Sequence, residues 1–297
     1  MSMSTGAQPH VLHTSEQLVQ DSLTLISLPA AYTRLQEVMA SEDSSMKDVA
    51  DVVSLDPALA ARLLRIANSA YYGLPSQVET ITRAVNILGT QQIHDLALAT
   101  SVAQAFEGLP NELMDMSTFW YRSVMCGFLA RELARASGIR ETESLFVRGL
   151  LLDIGHLILY SRFPDECRQA LAESGDDLLG FYAMERQLIG CDANELGMQL
   201  MKAWKLPQSF VDSFAYLQRP ENAQSIAKQV AVLNVAAWIT HGLNTDLLME
   251  QIFDKIAQPA WDLTGLSQRQ VVQVTDTVSG EMIEAMYRIF AVDESAI

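Results

Sequence analysis

The chain has 297 residues, and 49% of them are apolar, which is enough for a large core in one big domain or in two tightly packed lobes. The formal net charge of −16 would repel the phosphates of nucleic acid, so a nucleic-acid-binding function is disfavoured. The three cysteines (Cys126, Cys167 and Cys191) are far apart, which argues against a disulfide framework and against a CxxC zinc site.

The N-terminal segment, residues 1–16, is polar, and we expect a disordered leader in which His10 and His13 do not bind metal. It lacks the basic start and apolar stretch of a secretory signal. The richest apolar run, Val230–Ile239, is interrupted by Asn234 and falls short of the ~18 residues that a membrane span needs. We therefore expect a cytoplasmic protein.

Almost everything after the leader has helical periodicity, with no sustained alternation of apolar and polar residues, so the sequence predicts an all-α fold. Five short helices are predicted in a bundle over 17–108, and their capping and stop residues set the boundaries. The predicted helices are Ala30–Met39, one that begins after Ser45, Asp56–Ala70, Thr80–Leu88 and Thr90–Phe106.

The turn Gly108-Leu109-Pro110 is the candidate lobe boundary. A second helical series over 109–220 is predicted to form the second lobe, and residues 221–297 are predicted to complete it. Its predicted helices are Met116–Ala136, Glu141–Phe163 in one or two pieces, Asp176–Ile189, Asp192–Trp204, Pro207–Leu217 and Ala223–His241, followed by two or three amphipathic helices.

The run Leu55–Gly73 is the most informative stretch. Asp56 can cap the free amides of a helix, and Pro57 sits at the first helical position, where its missing N–H costs nothing. The helix ends in polar and aromatic residues that include Asn68, Ser69 and Tyr72. These three side chains either close a turn or form a surface that contacts a partner or the second lobe.

This run resembles the signature of the HDOD family, bacterial signalling domains related to HD and HD-GYP phosphohydrolases. The resemblance extends from about Leu28 to Pro220 and includes, in order, Ile81–Gly89, Phe119–Ser123, Gly149–Gly155, Glu185 with Gly190, and Leu206-Pro207. It implies an N-terminal helical bundle packed on a degenerate HD-like helical lobe.

Active HD-type hydrolases hold divalent ions with histidines and aspartates, and these ions activate water against phosphate. The resemblance places those ligand positions at Arg122, Leu152-Asp153, Ala193, Leu217-Gln218 and Asn234. Because Asp153 alone keeps a ligand side chain, we expect no bound metal, no cofactor and no catalysis.

Two accounts of Asp153 remain open. Arg122 could take the place of the metal in a salt bridge with Asp153, or Arg122 could point to solvent while Asp153 caps a local turn. His156 shares a helix face with Asp153 and is expected to be a hydrogen-bond partner or exposed rather than a metal ligand. His94-Asp95 reads as an HD doublet but falls in the N-terminal bundle, so a structural role is expected.

The sequence therefore indicates a non-catalytic signal-transduction or regulatory module that binds a protein partner, with small-ligand sensing left open. Binding to nucleic acid or to a membrane is not expected. Two alternatives remain: a metal-dependent phosphohydrolase acting on cyclic dinucleotides, and a nucleotide-binding sensor without turnover.

Overall fold

The computed structural model describes residues 12–23, 26–41, 43–68, 77–106 and 113–290, with side chains described through residue 279. Every regular element in these ranges is a helix, which confirms the predicted all-α class. The N-terminal helices are α1 (Ser15–Ser22), α2 (Ala30–Met39), α3 (Met46–Ser54), α4 (Pro57–Ala67), α5 (Ile81–Leu88) and α6 (Thr90–Ala105).

The N-terminus enters the fold earlier than the sequence indicates. Thr14 and Gln17 form a capping box that starts α1, and the backbone N–H of His13 donates to the carbonyl of Ile189 over 2.7 Å. Residues 12–16 are therefore part of the folded chain, which corrects the boundary of the expected leader. Residues 1–11, including His10, lie outside the described residues.

The remaining described chain continues as helices joined by short turns, with two 3-10 turns at Pro220–Asn222 and Gln224–Ile226. These helices are α7 (Met116–Ala136), α8 (Thr142–Leu151), α9 (Ile154–Arg162), α10 (Pro164–Ser174), α11 (Leu178–Leu188), α12 (Ala193–Ala203), α13 (Gln208–Ala215), α14 (Ala227–Asn244), α15 (Met249–Lys255), α16 (Gln258–Thr264) and α17 (Gln268–Phe290).

Helix α7 is the centre of the C-terminal part, and α8, α14 and α17 pack around it. Helices α7 and α8 cross at small residues, because a Cβ at Gly149 would lie 2.8 Å from the carbonyl oxygen of Cys126. A Cβ at Gly127 would lie equally close to the carbonyl oxygen of Phe146. This close crossing holds α7 in the orientation in which one of its faces lines the cavity described below.

The two halves of the chain share one hydrophobic core. Helix α6 packs on α8, α1 packs on α12, and α17 contacts α4 and α6 as well as α7. Trp204, at the end of α12, donates its indole N–H to the carbonyl of Ile26 over 3.2 Å. Helix α17 thus reaches the N-terminal bundle besides packing on the second lobe. The predicted lobe boundary at residue 108 lies outside the described residues and stays a prediction.

Within the described residues, one helical segment, Thr142–Arg162, is long and apolar enough by composition to cross a membrane. The fold buries 83% of its most apolar 18-residue window, as expected of a core segment. This segment comprises α8 and α9, separated by the turn at Leu152 and Asp153.

Candidate functional site

A cavity of about 200 Å³ lies between α7, α9, α11 and α14. Each helix contributes one face to it, since the lining residues recur three or four positions apart. The lining side chains that matter for its chemistry are Arg122 and Cys126 from α7; Asp153, His156 and Tyr160 from the turn and α9; Ser174 from the end of α10; Phe181 and Tyr182 from α11; and Thr240, His241 and Asn244 from α14.

The imidazole of His156 lies between two carboxylates at the inner wall of the cavity. Its Nδ1 is 3.6 Å from Oδ1 of Asp153, and its Nε2 is 3.2 Å from Oε1 of Glu185. The contact with Glu185 is an ion pair that lacks the straight alignment of a hydrogen bond. Glu185 is fully buried, whereas 27% of the Asp153 side chain is exposed, because Asp153 faces the cavity.

These contacts determine the charges of His156 and Asp153. Burial alone would lower the pKa of His156, but the charge of Glu185 and the contacts with both carboxylates outweigh it and raise that pKa to about 10. Burial would raise the pKa of Asp153, but His156, with the nearby charge of Arg122, lowers it to about 2. At neutral pH, His156 is a cation held between two anions.

Arg122 lines the same cavity as Asp153, but the two side chains form no direct salt bridge, which was one of the two accounts left open. In the described part of the chain, the cation at ion-pair distance from Asp153 is His156. Asp153 also makes no side-chain capping hydrogen bond at the start of α9, so the capping alternative fails too. The Nε of Arg122 is buried and has no hydrogen-bond partner.

Of the other positions that the resemblance assigns to metal ligands, Leu152 lines the cavity, whereas Ala193, Leu217, Gln218 and Asn234 do not. Instead they connect neighbouring helices. The amide N–H of Ala193 donates to Oε2 of Glu185 over 3.0 Å, and Nε2 of Gln218 donates to Oδ2 of Asp192 over 3.1 Å. Nδ2 of Asn234 donates to the carbonyl of Leu217 over 2.8 Å. The elements that would surround a metal are thus joined by hydrogen bonds.

Helix α12 approaches α9 too closely for a larger residue at the point of contact. A Cβ at Gly155 would lie 2.0 Å from the carbonyl oxygen of Ala193. The carboxylate of Glu185 lies at the N-terminus of α12, where the helix dipole favours a negative charge. Asp192 caps the same helix by accepting a hydrogen bond from the N–H of Glu195 over 2.8 Å. The local fold therefore places Glu185 where it can pair with His156.

The donor set does not fit a hydrolytic metal. No group of three or more His, Cys, Asp or Glu side chains in the described residues is arranged to hold a metal ion. The two neighbours of the His156 imidazole are the carboxylates of Asp153 and Glu185, which pair with it and raise its pKa. Asp153 and His156 satisfy each other rather than forming half of a metal site.

The N-terminal signature residues have local roles where the structure describes them. Oδ1 of Asp56 accepts from the N–H groups of Ala58 and Leu59, each over 2.9 Å, and Pro57 is the first residue of α4. Asn68 donates to the carbonyl of Val78 over 2.8 Å and accepts from its N–H over 2.6 Å. Ser69 and Tyr72 lie outside the described residues, so their role as an interaction surface stays a prediction.

His94 and Asp95 form a buried structural network in the N-terminal half. Nε2 of His94 is 3.0 Å from the hydroxyl of Tyr32, and its Nδ1 is 3.3 Å from Oδ1 of Asp95. Gln91 also donates to Asp95 over 2.8 Å. This arrangement agrees with the structural role expected for the doublet.

Sequence reasoning missed the contribution of α14 to the cavity. Thr240, His241 and Asn244 lie on one face of a helix that is otherwise strongly apolar. Burial, followed by the charge of Arg122, lowers the pKa of His241, so this imidazole is neutral at neutral pH. Polar residues at helical spacing within an apolar helix were the signal that could have indicated this face.

The fold defines the chain as an all-helical protein with a cavity-lining cluster of charged side chains, Arg122, Asp153 and His156. A family model of the HDOD domain matches residues 25–220, more than half of the chain, and the chain therefore belongs to the HDOD domain family. The resemblance found in the sequence is confirmed.

Solved structures share this fold. A Shewanella amazonensis protein provisionally named a phosphohydrolase is 28% identical, with a TM-score of 0.72, and the match covers 93% of this chain and 99% of that one. An HDOD domain protein of unknown function from Geobacter sulfurreducens is 22% identical, with a TM-score of 0.74 and coverage of 94% and 99%.

A Marinobacter aquaeolei protein provisionally named a signal transduction protein is 23% identical, with a TM-score of 0.67; the match covers 95% of this chain and 61% of that one. An uncharacterized protein of Treponema pallidum is 21% identical over 213 residues, which is 70% of this chain. The match spans only 41% of the length of that curated relative.

Proposed function

We propose that the chain is a non-catalytic signalling module of the cytoplasm that acts by binding another protein. The observation that carries this proposal is the set of contacts at the positions that the resemblance assigns to metal ligands, with the His156 imidazole paired to Asp153 and Glu185 at its centre. A catalytic metal would have to displace a protonated imidazole and break the connections of α12. The three buried, unpaired cysteines support a reducing compartment.

A metal-dependent phosphohydrolase is the second candidate, because a relative provisionally named a phosphohydrolase is 28% identical over nearly the whole chain. The test is hydrolysis of bis(p-nitrophenyl) phosphate and of cyclic dinucleotides by the purified protein in the presence of Mn²⁺, Fe²⁺ or Zn²⁺. Asp153→Asn is the matched variant. We expect no turnover above buffer for either protein. Turnover by the native chain that Asp153→Asn abolishes would establish the enzyme instead.

Partner binding is tested by crosslinking in cells of the native host. Large apolar side chains are exposed on the N-terminal half, with 72% of Leu55 and 53% of Met46 accessible. Changing both to serine should remove a crosslinked partner if this half carries the interface. Leu248→Ser is the control, because Leu248 is equally exposed, at 69%, in the C-terminal part. A native chain that forms no specific crosslink contradicts the proposal.

A further inference from the structure

The cavity is lined by buried polar atoms that lack a well-aligned hydrogen-bond partner. In the described residues these atoms are Nε of Arg122, Oγ of Ser174, Nε2 of His241 and Oγ1 of Thr240, which lies beside the thiol of Cys126. Only 3% of Thr240 and 8% of His241 is exposed. Buried polar groups are ordinarily paired, so their concentration in one cavity indicates a ligand that supplies acceptors.

The charge of the cavity restricts that ligand. Asp153 and Glu185 are both engaged by His156, whereas Nε of Arg122 has no hydrogen-bond partner and its guanidinium forms no ion pair with a described carboxylate. Arginine binds planar carboxylates through two parallel N–H groups. Because the carboxylate of Asp153 also faces the cavity, a ligand with a single negative charge is favoured over a phosphate dianion.

The remaining wall is aromatic. Phe119, Tyr160, Phe181 and Tyr182 line the cavity, and the rings of Phe181 and His156 are stacked with centroids 5.3 Å apart. The volume of about 200 Å³ exceeds the ~150 Å³ of a cavity that holds benzene but is smaller than the ~300 Å³ or more of pockets for drug-sized ligands. A single ring with one small polar group fits, and a cyclic dinucleotide does not.

We propose that this cavity binds a small aromatic monocarboxylate, with its carboxylate at Arg122, Thr240 and His241 and its ring against the aromatic wall. This inference goes beyond the proposed function, because it gives the module a ligand that it can sense. It does not depend on the identity of the protein partner.

Benzoate is the probe. Its binding is measured by saturation-transfer NMR and by the shift in melting temperature, with benzamide, inorganic phosphate and a cyclic dinucleotide as comparators. We expect saturable binding of benzoate and much weaker binding of the neutral amide. Arg122→Gln should weaken benzoate binding by about ten- to a hundredfold, because it removes a charge-assisted pair of hydrogen bonds. Arg34→Gln, at an exposed arginine on α2, should change nothing.

Thr240→Val is a second variant that retains side-chain volume and removes the hydroxyl donor. It should weaken benzoate binding by about two- to tenfold without altering the fold, which circular dichroism checks. Absence of benzoate binding at millimolar concentration, equal affinity for benzamide, or unchanged binding by a folded Arg122→Gln protein would each overturn the inference. None of these results bears on the hydrolysis and crosslinking tests above.

Discussion

His156 is surrounded by aromatic rings as well as by carboxylates. The rings of Tyr160, Phe181 and Tyr182 are stacked near it, with centroids between 5.3 and 6.2 Å away. A protonated imidazole over aromatic faces gains a cation–π contribution in addition to its two ion pairs. Asp153 lines the cavity, but its pairing with His156 and Glu185 depends on how α9 and α11 pack, which spacing along the chain does not reveal.

We expect His156→Phe to lower the free energy of unfolding by about 3–5 kcal/mol at neutral pH, because Asp153 and Glu185 would lose their shared cation. Urea unfolding followed by circular dichroism measures the change. The loss should be largest below a pH of about 6.5, the pKa of unfolded histidine, and should shrink as pH rises toward the folded pKa of about 10. A difference between native and variant that stays constant across this range would refute the charged role.

Asn68 should matter through the hydrogen bonds that it makes with Val78 and with the end of α4. We expect Asn68→Ala to lower the free energy of unfolding by about 1–3 kcal/mol. Asn86→Ala, at an exposed position of α5, should have little effect and serves as the control. Equal stability of the two variants would argue against the structural role of Asn68.

At the scale of elements, the contact between α9 and α12 leaves no room for a side chain at Gly155. We expect Gly155→Ala to cost about 1–3 kcal/mol in unfolding free energy, because the methyl group would meet the carbonyl of Ala193. In Gly180→Ala the nearest atom belongs to the movable side chain of Asp177, so its effect should stay within about 1 kcal/mol. Chemical denaturation of both variants gives the comparison, and similar costs would contradict the close packing.

Capping residues made the N-terminal helices predictable, as Ser45, Asp56 and Thr80 show at the starts of α3, α4 and α5. Helix α10 escaped prediction because it buries only Cys167 and Ala170, which is too few for a clear periodic pattern. The break between α8 and α9 was left open, since buried residues continue through Leu152 without a glycine or proline to mark the turn.

At the scale of the whole molecule, α17 connects the two halves by contacting α4, α6 and α7. Val271 and Val278 are the buried valines on the described face of this helix. Changing both to alanine should lower the free energy of unfolding by about 3 kcal/mol or more. The exposed pair Gln273→Ala and Asp276→Ala is the control.

Because the core is continuous, we expect the valine variant to unfold in one transition that is shared by both halves. Tryptophan fluorescence, measured on a variant that keeps only Trp204 of the four tryptophans, reports on the contact of that indole with the N-terminal half. Circular dichroism reports on total helix content. Separate midpoints for the two signals would show that the lobes unfold independently.

The imidazolium of His156 is a cation that belongs to a side chain of the protein and does not have to be bound from solution. Relatives that must capture an ion become fully folded only when the cell can supply one. This protein acquires its central positive charge during synthesis, so we expect it to be equally well formed during metal starvation and metal excess. Under the signalling role proposed above, such a component would keep working when the supply of trace elements fails.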